Sequence, residues 1–406
     1  MTSREAAIKI IKRLRKAGFA AFLAGGCVRD MLLRCAAKDY DVATDATPDE
    51  VTNLFERTLK VGAKFGVVMV IMGTRQVEVA TFRTESGYAD GRHPSSVKFS
   101  NAKKDAGRRD FTINGMFYDP IERKVLDYVG GRVDLRKGII RTIGDVRKRF
   151  GEDYLRMLRA VRFSTQLGFT IESRTWSAIC SKAHNITKIS AERIAMELEM
   201  ILTHPNRSHG ASMLGDSGLT EVIFPDFDCD KARFGIKVLG YLRKKVNFPL
   251  ALAAFLAAYD TKSATAQAHR LKLGRAHNKH LRFLLDTRAK LLQADIGLAE
   301  LKLLLAKPYF WDMYEFQRAI QKARGETIGS LLAIRKRAGA LRGRELSPRP
   351  LLNGHEIIAL GVQPGPMVGL VAEEMYIAQL AEQLHNPDQA RQWVSMWLHR
   401  HEQLER

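Results

Sequence analysis

The stretch Lys38-Asp39-Tyr40-Asp41-Val42-Ala43-Thr44 carries two acids two residues apart, leading into an apolar run. In an extended strand, positions i and i+2 project to one face, so Asp39 and Asp41 stand together. Two carboxylates so placed repel unless a cation sits between them, which a Mg²⁺ site supplies. The plain alternative is a solvated strand face. Farther on, Val77-Glu78-Val79 sets one acid inside an apolar run. Glu78 either completes the set from a neighbouring strand or is an exposed residue of an alternating one.

Upstream, Leu23-Ala24-Gly25-Gly26-Cys27-Val28-Arg29-Asp30 places two glycines between a strand and a helix start. Such glycines let backbone N–H groups approach a phosphate, and the helix N-terminus favours the anion. Gly-Gly also occurs in such turns for purely steric reasons. The segment Gly151-Glu152-Asp153-Tyr154-Leu155-Arg156-Met157-Leu158-Arg159-Ala160-Val161-Arg162-Phe163 is richer still. At about 100° per residue, Asp153, Arg156, Arg159 and Arg162 wind around one half of a helix, and Tyr154, Met157, Leu158 and Val161 gather on the other. A row of guanidinium forks suits a triphosphate. Asp153 accepting from an exocyclic amine and Arg156 donating to a ring nitrogen would take cytosine or adenine and reject uracil and guanine. An ordinary amphipathic helix with an i,i+3 ion pair is the competing reading.

Gly-Gly, a short helix, Asp-x-Asp and an acid flanked by apolar residues together resemble the polymerase-β nucleotidyltransferase superfamily. Arg108-Arg109-Asp110-Phe111-Thr112-Ile113-Asn114-Gly115-Met116 resembles the RRDFTxNA motif of the class II tRNA nucleotidyltransferase and bacterial poly(A) polymerase family, with Gly115 where Ala is usual. Asp127-Tyr128-Val129-Gly130-Gly131, with Asp134, Leu135 and Gly138, resembles that family's hinge, and the Glu152–Arg156 stretch its E-D-x-x-R motif. The resemblance covers residues 21 to about 200.

It implies an α+β chain whose mixed-sheet nucleotidyltransferase head is followed by an all-α neck, body and tail. It implies Mg²⁺ on Asp39 and Asp41, with Glu78 as a further catalytic acid. Gly25, Gly26, Arg29, Arg109, Asp110 and Asn114 would bind nucleotide, Asp110 through the ribose 2′-hydroxyl. Asp153, Arg156, Arg159 and Arg162 would do so from the neck, the first two as an amino-acid template for CTP and ATP. Asp90-Gly91-Arg92, in the polar stretch Thr84–Val97, would serve the switch from CTP to ATP. Glu192-Arg193-Ile194 and Glu197 to Glu199 resemble the motif that braces the neck. The implied partner is the tRNA 3′ end, and the implied activity is CCA addition from CTP and ATP. Poly(A) synthesis and addition of CC or A alone are the alternatives; an inert RNA-binding protein is a remote one, since every carboxylate position is filled.

The elements that must position these residues follow from periodicity. Phe19–Ala24, Tyr40–Ala43, Gly66–Met72, Gln76–Phe82 and Met116–Asp119 read as strands, and Arg29–Cys35 and Pro48–Leu59 as helices. Several strands after one helix indicate a mixed sheet. The polar segment Arg83–Lys98 reads as a long loop, and residues beyond Asp119 turn helical almost to the end. At 406 residues the chain exceeds one core, and we divide it into a head (1–135), neck (136–205), body (206–325) and tail (326–406).

Lys and Arg total 65 against 44 Asp and Glu, a formal charge of +21. That excess favours a polyanionic partner through counterion release. Cys27, Cys35, Cys180 and Cys229 show no metal-finger spacing, and no apolar run approaches the ~18 residues of a membrane span. A cytoplasmic protein with no membrane partner is the expectation. Some relatives carry a His-Asp phosphohydrolase; Ala251–Asp260 has no such pair, and His269, His277 and His280 read as solvated or RNA-facing. Leu352–Gly361 resembles a tail element of the family, and the last helix, with Trp393, Trp397 and Leu398, reads as packed.

Overall fold

The computed structural model describes residues 1–60, 66–88, 94–225, 228–288, 290–292 and 296–402. They form two compact units, one of Met1–Arg233 with Ala266–Leu273, the other of Phe234–Thr265 with Gly274–Arg406.

The first unit opens with α1 (Ser3–Lys16), begun by a reciprocal Thr2–Glu5 capping box. Its Ala6, Ala7, Ile10, Ile11 and Leu14 are fully buried against β1 (Ala21–Ala24), β2 (Asp41–Thr44) and β5 (Arg75–Thr81). Each buried Ile or Leu contributes roughly 1.5–3 kcal/mol. Strands β3 (Thr58–Leu59), β4 (Val67–Met72), β8 (Met116–Asp119) and β9 (Lys124–Asp127) complete a seven-stranded sheet of order β3-β4-β5-β2-β1-β8-β9. The sheet is mixed as expected: β2 and β5 run parallel, and its other pairs antiparallel. Phe82 and Phe117 meet edge-to-face at 5.7 Å within a core cluster that includes Ala102 and Ala106 of α4 (Ala102–Arg108).

Four local expectations change. Helix α2 (Gly26–Leu32) starts earlier than Arg29, because the chain turns at Gly25 with φ +73°. Helix α3 (Pro48–Leu54) stops well before Leu59: Phe55 is extended, and Thr58–Leu59 pairs with β4 instead. The polar stretch after Phe82 is an antiparallel ribbon, β6 (Arg83–Tyr88) with β7 (Pro94–Phe99), not a loop. The helix read through Gly151–Phe163 is broken. α6 (Val146–Glu152) ends at an extended Asp153, and α7 (Leu155–Leu167) begins after Tyr154. In chain order α5 (Gly131–Lys137) comes between β9 and α6, introduced by the Asp127 carboxylate, which accepts from the N–H groups of Val129, Gly131 and Arg132. α8 (Ser173–Lys182) then intervenes before α9 (Ala191–Leu202).

Every named element of the second unit is helical. Phe248–Phe255 is buried along its whole length. Near the C-terminus Leu352, Ile357, Val371, Met375, Val394 and Trp397 share one core, with the Trp397 indole donating to Glu374 at 2.7 Å. Trp393 and Leu398 pack against it, as the sequence led us to expect. His280 departs from its expected solvated state: it is buried, stacks on Tyr309 at 3.8 Å and pairs with Asp312 at 3.2 Å.

Candidate active site

Gly25 occupies the turn from β1 into α2. A Cβ there would lie 2.9 Å from Arg109 Nη1, and its φ of +73° is one side chains avoid. Glycine is therefore favoured by the backbone, and a side chain there would push the Arg109 guanidinium aside. Next to this turn, Ala24 pairs with Asp41 across the β1–β2 ladder. The parallel register Val42↔Val79 sets Asp41 beside Glu78 on the same sheet face. Asp39 precedes the strand, so the ladder does not fix its direction.

Asp41 is exposed by surface area, yet the cleft walls crowd its carboxyl. That crowding, then the charges of Glu78 and Asp39, push its pKa up to about 6, against an opposing pull from Arg109. The acids are therefore close enough to feel one another. Among the described residues, however, no three His, Cys, Asp or Glu side chains enclose a metal by themselves. An open carboxylate group short of ligands fits Mg²⁺, which usually takes one or two carboxylates and completes its shell with water and substrate phosphates.

A cavity of about 430 Å³ opens over this floor. Of the residues singled out from the sequence, Gly25, Gly26, Arg29, Asp41, Arg109, Asp110, Asn114, Asp153, Arg156 and Arg159 all line it. Asp39, Glu78 and Arg162 do not line it, and Asp90 and Arg92 lie outside the described residues.

Asp110 sits at the centre of the polar wall. Its Oδ2 accepts from Arg159 Nε and Nη2 at 2.9 and 2.7 Å, its Oδ1 from the Phe111 N–H and Asn114 Nδ2 at 2.7 and 3.2 Å. Burial alone would raise its pKa, but the Arg159 charge and these hydrogen bonds hold it down to about 2. Asn114 in turn accepts from Arg29 Nη1 at 2.8 Å, so α2, the Arg109–Gly115 turn and α7 are linked side chain to side chain.

Asp153 and Arg156 do not pair with each other. Asp153 Oδ2 accepts from Arg193 Nη2 of α9 at 2.8 Å, and its Oδ1 from the Leu155 N–H at 3.0 Å. Arg156 Nη1 donates to Glu152 Oε2 at 2.7 Å. Breaking the helix between them frees both from the i,i+3 ion pair that a continuous helix would favour. Arg162 is turned away from the cavity: it pairs with Glu197 at 3.2 Å, and burial lowers its pKa to about 10.

Sequence reasoning left several contributors without a role. Phe163 lines the cavity, and the guanidiniums of Arg29, Arg159 and Arg162 lie 5.2, 5.4 and 4.3 Å from its ring. Such contacts add about 0.5–2 kcal/mol each when desolvated. Asp105, 1% exposed, accepts from both Arg108 and Arg109. The i,i+3 and i,i+4 spacing of an acid before Arg108-Arg109 was the available signal.

Sheet, glycine turn and acid pair define a nucleotidyltransferase, and the Poly A polymerase head domain model matches residues 21–141. The model of a probable RNA and SrmB-binding site of polymerase A matches residues 168–231. The CCA-adding enzyme of Lactobacillus gasseri is 34% identical over 403 residues, 95% of each chain. That of Bacillus subtilis is 46% identical over 197 residues, 48% of this chain and 49% of the relative. The crystal structure of Bacillus stearothermophilus CCA-adding enzyme in complex with CTP matches with a TM-score of 0.82 at 27% identity over 99% of both chains. This chain belongs to the CCA-adding enzyme family.

Proposed function

We propose that this chain adds CCA, one nucleotide at a time, to the 3′ end of tRNA from CTP and ATP with release of pyrophosphate. The observation that carries the reading is the one cavity that gathers the glycine turn, Asp41, the Asp110–Arg159 pair, and both Asp153 and Arg156. The full-length family relationship and the +21 charge support the same substrate class.

Gly25, Gly26, Arg29 and Arg109 bind the triphosphate on the turn and the start of α2. Asp110 takes the ribose 2′-hydroxyl. Its four acceptor positions are already occupied, so one partner must yield; Asn114, at 3.2 Å, holds the longest of the four bonds. Arg159 fixes Asp110 and adds charge near the phosphates, while Arg162 supports it through Phe163 and Glu197. Asp153 accepts from the exocyclic amine of cytosine or adenine, and Arg156 donates to the neighbouring ring nitrogen. Asp39 and Asp41 would hold Mg²⁺, with Glu78 alongside. Bound there, the metal would lower the pKa of the RNA 3′-hydroxyl and offset charge on the leaving pyrophosphate.

In this reading residues 1–135 form the catalytic head, 136–205 the base-reading neck, 206–325 the body and 326–406 the tail that binds tRNA. Asp90 and Arg92 serve the change from CTP to ATP. A cytoplasmic setting fits Cys27, Cys35 and Cys180, which are free thiols; among the described residues no helix is long and apolar enough to cross a membrane.

The test is a tRNA lacking its 3′ CCA, incubated with CTP alone, ATP alone and both. Two additions, none and three are expected in turn. A ladder of adenylates with ATP alone would instead identify a poly(A) polymerase, and arrest at CC with both nucleotides a CC-adding enzyme.

A further inference from the structure

Arg149 of α6 lies beside the cavity without lining it, its side chain 17% exposed. Its guanidinium reaches three separate parts of the chain. Nε donates to the Ile143 carbonyl at 3.2 Å, and Nη1 to Glu152 Oε2 at 2.7 Å. Nη2 donates to the Gly107 carbonyl, and Nη1 also approaches the Arg108 carbonyl at 3.5 Å. Gly107 and Arg108 end α4, where helix carbonyls lack partners and a cation is favoured.

Arg156 is held by the same groups. Its Nη1 donates to Glu152 Oε2 at 2.7 Å and to the carbonyl of Arg149 itself at 2.8 Å. Its Nη2 shares the Arg108 carbonyl at 3.5 Å. One carboxylate oxygen and one carbonyl are thus common to both guanidiniums, and Arg149 contributes a third acceptor from its backbone. With these anchors in place, Nε of Arg156 has no acceptor among the described residues and stays available for a base.

We propose that Arg149 is a positioning residue for base selection: it registers α6 and Glu152 on the end of α4, and so fixes where the Arg156 fork points. This rests on the reading of Arg156 as the group that donates to the base. Without the Arg149 guanidinium, the segment that carries two of the Arg156 acceptors, Glu152 Oε2 and the residue-149 carbonyl, is no longer tied to the end of α4, so Arg156 keeps its partners but shifts with them. A base-reading donor that moves by about an ångström loses geometric selection while the triphosphate contacts remain.

The experiment measures kcat/KM for all four nucleoside triphosphates on one tRNA primer, with Arg149→Ala, Arg149→Lys and Arg156→Ala beside the parent. A lysine keeps the charge and the stem but cannot span Glu152 and the α4 carbonyls together, so it guards against an alanine variant that fails to fold. Both Arg149 variants should raise incorporation of UTP and GTP relative to CTP and ATP by on the order of tenfold, with tRNA affinity unchanged. A merely structural role would lower all four values in proportion and leave that ratio at the parent value, which overturns the proposal. If Arg156→Ala relaxes base choice and neither Arg149 variant does, this inference alone fails. If Arg156→Ala leaves base choice intact, the underlying reading of Arg156 fails.

Discussion

Arg159 grips a single oxygen of Asp110 with two N–H groups, Nε at 2.9 Å and Nη2 at 2.7 Å from Oδ2. The pair joins α7 to the turn that follows α4, and it holds a buried carboxylate ionised at a pKa of about 2. An acid depressed below its ordinary value contributes stability above that value and loses it as pH falls through the folded pKa. Replacing Arg159 by alanine leaves Asp110 buried without its main counter-charge, so its pKa should rise above the ordinary carboxylate range. The loss should be about 2 kcal/mol, discounted because the Arg159 side chain is 32% exposed. Chemical denaturation between about pH 3 and pH 7 should show the variant's deficit largest near pH 7 and shrinking as pH falls and the buried Asp110 takes up a proton. The KM values for CTP and ATP should rise together.

A second prediction concerns the raised pKa of Asp41. An acid whose folded pKa lies near 6 costs the metal-free protein stability as pH rises through that value. A divalent cation competes with the proton, so the rise in melting temperature on adding Mg²⁺ should be small near pH 5 and larger near pH 7.5. Asp41→Asn should remove this pH dependence, and Asp39→Ala or Asp41→Ala should abolish transfer while tRNA affinity, spread over many basic contacts, stays nearly unchanged. Near-normal turnover in either alanine variant would contradict the assignment.

The glycine turn yields a third. Gly25→Ala combines an unfavourable positive φ with a clash against Arg109 Nη1. Roughly 1–3 kcal/mol of stability should be lost, and kcat/KM for all nucleotides should fall because Arg109 must move. Gly26→Ala, whose added Cβ would come no closer than 3.8 Å to Arg29 Nη2, should cost much less stability. Equal losses in the two variants by thermal denaturation would refute the packing argument.

How much of this was legible in the sequence varies with the physics behind each part. Motif residues alone named ten positions that line one cavity, because short-range spacing carries backbone turns and helix starts. What spacing does not carry is long-range register. Asp41 meets Glu78 only because β2 and β5 run parallel with Val42 opposite Val79. Nor did periodicity reveal the break at Asp153: apolar residues continue across it, and tertiary anchors on Arg193 and Glu152 settle the local geometry. The pairing of Arg83–Tyr88 with Pro94–Phe99 was hidden by its polar composition. Arg149 acts through carbonyls brought in by folding, which no residue type announces.

A fourth prediction addresses Asp90 and Arg92. Replacing Asp90 and Arg92 together by alanine should leave CC addition intact and stall the product before the terminal A, visible at single-nucleotide resolution. Uniform slowing of all three additions would assign that segment to general support.

The central claim is that protein side chains, Arg156 foremost, choose the base. The most direct measurement is the incorporation of each of the four nucleotides by Arg156→Ala on a tRNA ending before CCA, compared with Arg159→Ala. UTP and GTP should enter with Arg156→Ala at a rate approaching that of CTP, while Arg159→Ala keeps its selectivity and shows raised KM values throughout. Negligible UTP and GTP incorporation by Arg156→Ala, alongside normal use of CTP and ATP, would contradict the account.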